Sequence, residues 1–491
     1  MSGAPGQDLR DRAAQGAVVV GARNLAVRVL GLLGMVVLAR LLAPEDFGVL
    51  AFGLALTVLG RVLATGGLGA GLIRREEPPS VTELRVVLGY QLLTTGAFAA
   101  LLLGIGSLTG GAGLVAGIMA LGLPVTAARS ATAIVLDRRL GYGPLARAEV
   151  LETLAYNVLA IGSVLLGAGV WGVAGATVAG SLAGTADLLA RHPEGRLRPA
   201  LSYEVVRPLL GFGIGFQAVT IVGAVRDQGL NIVLGATAGA AVLGVWSVTS
   251  RLLQAVLMLL QALWRVSLSA MARLLEAGER PQPLLERSLS TTSVAIGILV
   301  VALAGPAPAL VPTLFGPGWD GVAEALPIGA AALMLSGPIS TSITGFLFAK
   351  GDARAVFRTV SWQALTWLVV AAALAPFLGA TGAAIGMLLA ACTVARSLAL
   401  AVRRHVRLHV WRPVRTALAA AAAASCGAWW VADTLERTPL AAVMSILAAE
   451  ALFLGAMAVA RGSDVERLFR LLGTAVRRAL PRGFTPAGGR A

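Results

Sequence analysis

Apolar runs of membrane-spanning length follow one another along this chain, and the connections between them alternate between basic and non-basic. The runs lie at about 17–41, 47–72, 86–107, 112–136, 148–168, 171–190, 208–236, 241–271, 289–315, 323–349, 355–376, 380–402, 414–432 and 438–460. A hydrocarbon core of ~30 Å takes about 20 helical residues, so each run reads as one span. Connections after even-numbered runs carry Arg74 and Arg75, Arg138, Arg139 and Arg147, Arg191 to Arg207, Arg273 to Arg287, Lys350 to Arg358, and Arg403 to Arg415. Those after odd-numbered runs carry Glu45, Asp46, Asp320, Glu324, Asp433 and Glu436, with Arg437 the basic exception. By the positive-inside rule this places both termini in the cytoplasm and fixes an even helix count. A miscounted helix would invert the pattern part-way along.

Composition narrows the class further. The chain is 57% hydrophobic and 13% charged, against roughly 45–50% and ~25% in soluble domains. Too little polar surface remains for a cytosolic enzyme, a disordered chain or a nucleic-acid-binding module. The net charge of +15, with Lys350 the one lysine among 40 basic residues, belongs to loop asymmetry, not to a nucleic-acid partner. Cys392 and Cys426 both fall inside apolar runs, so no disulfide framework is expected. His192, His405 and His409 lie in basic loops and form no metal-ligand cluster. Polar segments between spans are too short for a soluble catalytic domain, no P-loop is present, and no cleavable signal peptide is expected.

The hairpin Leu41–Leu50 is echoed 196 residues later by Thr237–Trp246, each ending in an apolar residue, Gly and Val. Leu166-Gly167-Ala168-Gly169 is echoed by Leu378-Gly379-Ala380-Thr381. The recurring six-helix offset predicts an all-α polytopic membrane protein of about fourteen transmembrane helices. Two six-helix lobes surround a central cavity, with a C-terminal helix pair added, as in secondary transporters. The expected organisation is an N-lobe over 1–200, a C-lobe over 201–410, helices 13 and 14 over 411–460 and a basic cytoplasmic tail over 461–491. That tail reads either as an amphipathic helix on the anionic inner leaflet or as a disordered basic segment. Trp171, Trp319, Trp429 and Trp430 read as interfacial belt aromatics, and Pro306, Pro308, Pro312, Pro317 and Pro338 should break or kink helices 9 and 10.

Ionisable groups inside a bilayer are costly and face a cavity or a partner. The eighth run carries Arg251, Gln254, Gln261 and Arg265 at offsets that fall on one helical face. The seventh carries Gln217, Thr220, Asp227 and Asn231 at the same offsets, with Arg226 beside Asp227 and pointing about 100° away. The first adds Asn24 and Arg28, the second Thr57 and Arg61. These stripes should line a wet interior space. Five arginines (28, 61, 226, 251 and 265) against Asp227 make that space cationic, which suits an anion and above all a phosphate taking forked hydrogen bonds. Glu149, Glu152 and Asp187 read as surface partners of loop arginines at cytoplasmic helix ends.

The segment Ala39-Arg40-Leu41-Leu42-Ala43-Pro44-Glu45-Asp46-Phe47-Gly48-Val49-Leu50, followed by Gly67-Leu68-Gly69-Ala70-Gly71-Leu72-Ile73-Arg74-Arg75-Glu76, resembles the opening of the bacterial O-antigen, capsule and exopolysaccharide flippases. These belong to the multidrug/oligosaccharidyl-lipid/polysaccharide exporter superfamily. Asp227 with Asn231-Ile232-Val233-Leu234-Gly235, Leu243-Gly244-Val245-Trp246-Ser247 and Arg251-Leu252-Leu253 resemble its helix 7–8 pattern. Val311 to Trp319 and Leu166 to Trp171 resemble two of its turns. Thr65-Gly66-Gly67 and Ser269 depart from it, where the family often has an acidic residue and a proline.

The resemblance implies a transporter, not an enzyme, in the bacterial inner membrane. It would flip an undecaprenyl-pyrophosphate-linked oligosaccharide to the outer leaflet, with membrane lipids, and a polysaccharide polymerase and glycosyltransferases, as partners. No cofactor is implied beyond a coupling proton or sodium ion that no residue identifies. Other readings are a lipid II flippase, a cation-coupled multidrug antiporter, which would need acidic cavity residues, and a non-transporting scaffold for glycosyltransferases.

Overall fold

The computed structural model describes residues 5–74, 77–192, 196–435 and 438–479. For 5–18, 70, 74, 210–220, 262, 265, 266 and 471–479 it describes the backbone alone. The described chain is helical and holds no strand. It divides into two compact units, Met1–Ser247 and Val248–Ala491.

Unit 1 contains α1 (Pro5–Leu41), α2 (Pro44–Thr65), α3 (Leu68–Arg74), α4 (Val81–Thr109), α5 (Gly111–Ala120), α6 (Gly122–Ala127), α7 (Ser130–Arg138), α8 (Tyr142–Leu165), α9 (Gly169–Arg191) and α10 (Tyr203–Ala238). It also holds the first turns of α11 (Ala240–Glu276), whose remainder opens unit 2. Unit 2 continues with α12 (Gln282–Ala304), α13 (Ala307–Phe315), α14 (Asp320–Ala349), α15 (Ala353–Arg403), α16 (Trp411–Thr434) and α17 (Pro439–Ala479). Among the described residues ten helices are long and apolar enough to span a bilayer, or eleven if the bent pair 111–127 and 130–138 is one span.

Local sequence explains the boundaries. Ser80 opens α4 with a reciprocal cap: its hydroxyl accepts the Glu83 N–H, and the Glu83 carboxylate accepts the Ser80 N–H. The fourth apolar run, expected as one span, is broken into α5, α6 and α7 with a 49° bend. Pro124 supplies no N–H to the Ala120 carbonyl, and the helix steps at Leu121. At the second break the Arg129 N–H bonds the Thr126 carbonyl, and the Thr185 hydroxyl of α9 donates to the Val125 carbonyl at 3.2 Å.

In α15 two apolar runs join through Gly379, at φ 59° and ψ −143°. The Trp367 indole N–H donates to the Ala383 carbonyl at 3.2 Å, so the legs on either side of Gly379 fold back on each other. The expected break of the ninth run occurs at Gly305–Pro306, between α12 and α13. Trp319 is not a belt residue. The turn through Gly316, Pro317 and Gly318 folds it inward, where it is 1% exposed and tilts against Phe315 with ring centroids 6.1 Å apart.

The C-terminal helix pair is built into unit 2. Ala417, Ala421, Ala424 and Ala428 form a small-residue stripe on α16 that seats it against α12 and α14, with Phe453 and Met457 of α17 filling the same core. α17 bends at Arg461 and continues as helix to Ala479, so the segment read as a tail begins as helix. Its first turns are docked. The Ser290 hydroxyl of α12 donates to Asp464, Arg461 donates to the Ser290 hydroxyl oxygen at 3.0 Å, Arg467 pairs with Asp464 at 3.3 Å, and Leu468 is buried.

In unit 1 the two echoed hairpins meet. A β-carbon built on Gly48 would overlap the Ala240 carbonyl, and one built on Gly244 would overlap the Pro44 carbonyl. Ala240 and Gly244 are the 196-residue counterparts of Pro44 and Gly48, so the contact is reciprocal.

Candidate functional site

Helices α1, α2 and α10 carry the expected site residues of unit 1. On α1, Asn24 and Arg28 are exposed, one turn apart, and the Asn24 side-chain oxygen accepts from Arg23 at 3.0 Å. On α2, Arg61 stands exposed while Gly53, Ala55 and Gly60 pack inward. On α10, Leu230 and Leu234 are buried, and Asp227 and Asn231 lie toward the open side. Arg226 does not diverge from Asp227. Its flexible stem brings Nε to 2.7 Å from the Asp227 carboxylate, so the two neutralise each other. Asn231 donates to Gln228 at 3.3 Å, adding a polar group that stripe spacing did not select.

In unit 2, α11 turns Leu253 and Val256 into the core, while Gln254 and Gln261 are exposed and Arg251 is half-buried. Gln254 and Gln261 thus lie off the unit's own core. The side chains of Gln217 and Arg265 lie outside the described residues.

Among the described residues, the direct bond that joins two members of the expected set is Arg226–Asp227. Arg28, Arg61 and Arg251 form no ion pair there. Helical residues of this kind can present an unspent guanidinium to an anion, with amides beside them for hydroxyl groups.

Sequence reading underestimated a second charged network in unit 1. Arg129, at the break between α6 and α7, pairs with Glu152 of α8 at 2.6 Å, and Ser181 of α9 donates to the same carboxylate at 3.3 Å. Their side chains are 17% and 27% exposed, too enclosed for the surface pairing expected of Glu152. One Arg129 nitrogen, Nη1, is buried without a hydrogen-bond partner. The available signal was opposite charges set inside successive apolar runs. Glu149 pairs instead with Arg23 at 3.3 Å, whereas Asp187 is held at 3.0 Å by both Arg147 and Arg191.

Outside the spans, Asp352 caps α15 by accepting from the Ala355 N–H, and His405 lies 3.4 Å from its other oxygen. The His405 hydrogen bond, with the Ala355 amide, holds the Asp352 carboxyl below its usual range.

A sequence profile described as polysaccharide biosynthesis protein matches residues 37–324, more than half of the chain. The chain belongs to that family. No curated protein matches the sequence significantly. Among solved structures, the lipid II flippase MurJ in an inward closed conformation aligns with TM-score 0.68 at 14% identity, over 91% of this chain and 100% of that one. A multidrug resistance MATE family transporter of the MOP superfamily, inward-facing, aligns with TM-score 0.53 at 15% identity, over 78% and 96%. This member of the polysaccharide biosynthesis family is therefore an all-helical, multi-pass membrane protein with the fold shared by those transporters.

Proposed function

We propose that this chain flips undecaprenyl-pyrophosphate-linked oligosaccharide repeat units from the cytoplasmic to the outer leaflet by alternating access, for surface polysaccharide synthesis. It would sit in the bacterial inner membrane with both termini cytoplasmic, as the alternating loop charge supports. The observation that carries the reading is electrostatic. Among the described residues Arg28, Arg61 and Arg251 form no ion pair on their spanning helices, while Asp227, the acidic member of the set, is already taken by Arg226. Unpaired guanidinium groups suit a pyrophosphate, and a cationic drug would meet repulsion. Asn24, Asn231, Gln254 and Gln261 would serve the sugar hydroxyls. Gln217 and Arg265 extend the same stripes by spacing. The two lobes of six helices, over 1–200 and 201–410, would carry the motion. No covalent step belongs to this reading; glycosyltransferases would act before it and a polymerase after it.

The test is complementation of a gene deletion. Wild type should restore polymer, and Arg61→Ala and Arg251→Ala should leave repeat units trapped on the inner leaflet while inserting normally. Each lost charge-assisted bond weakens binding by roughly 10–100-fold. Full export by both variants would remove the cationic mechanism. The likeness to a lipid II flippase favours one second reading, the same pyrophosphate chemistry on a peptidoglycan precursor. Depletion would then lyse cells instead of stripping polymer.

A further inference from the structure

From Pro439 to its bend at Arg461, α17 is ~34 Å long at ~1.5 Å per residue, just enough for a ~30 Å hydrocarbon core. Helix resumes beyond the bend and runs to Ala479, so this second stretch starts at headgroup depth.

Its residues separate by face. At 100° per residue, Leu468, Phe469, Leu471, Leu472 and Val476 fall within one arc of about 160°. Arg467, Arg470, Arg477 and Arg478 fall outside it. The described side chains agree with that division. Leu468 is buried in the core of unit 2, whereas Arg470, paired with Glu466 at 3.0 Å, is exposed on the other side. The acid that falls inside the arc, Asp464, is the one held by Arg461, Arg467 and Ser290.

Unit 2 covers only the beginning of the arc. α12 runs antiparallel to α17, with Gly297 against Phe453 and Ser290 against Asp464. It begins at Gln282, ~12 Å beyond Ser290, while α17 continues ~22 Å beyond Asp464. The last ~10 Å of α17 therefore outrun α12. At the edge of the covered part Phe469 is already half exposed.

Charge says what covers the rest. After Glu466 the chain has no Asp, Glu or Lys, and its arginines stand beside the apolar arc. An apolar face flanked by arginine at headgroup depth matches a leaflet of anionic lipid, acyl chains against the arc and phosphates against the guanidinium groups.

We infer that residues 465–479 of α17 bind an anionic lipid surface, with the apolar arc in the boundary between headgroups and acyl chains. The loop charges make that surface the cytoplasmic leaflet, and the flippase reading is not needed for it.

The test uses the full-length protein in nanodiscs, where both faces are lipid and the native orientation does not matter. With Cys392 and Cys426 replaced by Ser, Leu472→Cys or Thr474→Cys carries an environment-sensitive fluorophore. In phosphatidylglycerol discs the label at 472, inside the arc, should be quenched by acyl-brominated lipid and shielded from acrylamide. The label at 474, outside the arc, should respond to acrylamide. In phosphatidylcholine discs lipid quenching at 472 should fall severalfold. Arg477→Gln with Arg478→Gln should produce the same fall in phosphatidylglycerol, each charge being worth roughly fivefold in binding. Acrylamide quenching of both labels in both discs would leave the arc in water, free for a protein partner, and overturn the inference. Shielding of 472 from both quenchers would mean that unit 2 itself covers the arc, and equal lipid quenching in both discs would remove the anionic requirement; either result overturns it as well. Hydrogen exchange of the wild-type protein needs no variant. Residues 471–479 should exchange more slowly in phosphatidylglycerol than in phosphatidylcholine, and equal rates would count against the lipid site even if the labelled variants misfold.

Discussion

At the scale of single residues, the Arg129–Glu152 pair is the interaction most exposed to disruption. A half-enclosed guanidinium left alone costs more than the pair gains. Glu152→Gln should therefore lower stability by about 2 kcal/mol, discounted from the fully buried case for partial exposure. Replacing both partners by Leu should cost much less. Thermal unfolding in detergent of the two variants checks this, and equal stabilities for wild type and Glu152→Gln would sink it. Asp352 offers a second measurement. Its folded pKa lies below the usual ~3.9, so its contribution is complete at neutral pH and disappears as pH falls through that lowered value. Carboxyl NMR should show its titration moving up in His405→Ala. The contrast between sites says what the sequence could disclose. Arg28, Arg61 and Arg251 were legible because a charge inside an apolar run is conspicuous by itself. The role of Glu152 was not, because it depends on Arg129, 23 residues away across a helix break.

At the scale of elements, the apolar runs and turn residues disclosed most helices, including the two legs of α15. Gly379 occupies a backbone region that other residues enter only under strain, costing about 1–3 kcal/mol. Gly379→Ala should cost that much in unfolding assays and loosen the Trp367–Ala383 bond between the legs. Hidden from a hydropathy reading were the breaks around α6, where Pro124 overrides an otherwise continuous apolar run, and the docking of the segment after Arg461. That segment is charged enough to look solvated. Its anchor, Asp464 on Ser290, joins residues 174 positions apart. Asp464→Ala should raise hydrogen exchange through residues 462–470 while α14 stays protected. Unchanged exchange would mean that Leu468 alone holds the helix.

At the scale of the whole molecule, the Gly48–Gly244 contact leaves no room for a side chain on either partner. Gly48→Val and Gly244→Val should each lower thermal stability in detergent, and the double variant should lose less than the sum of the two, because both act on one contact. Additive losses would show two independent lesions. The contact also carries a further meaning. Position 48 touches position 240 while position 244 touches position 44, which is the signature of an isologous interface, the kind formed when a molecule pairs with its own copy about a two-fold axis. The seam between the hairpins thus repeats, within one polypeptide, the reciprocal geometry of a two-fold contact.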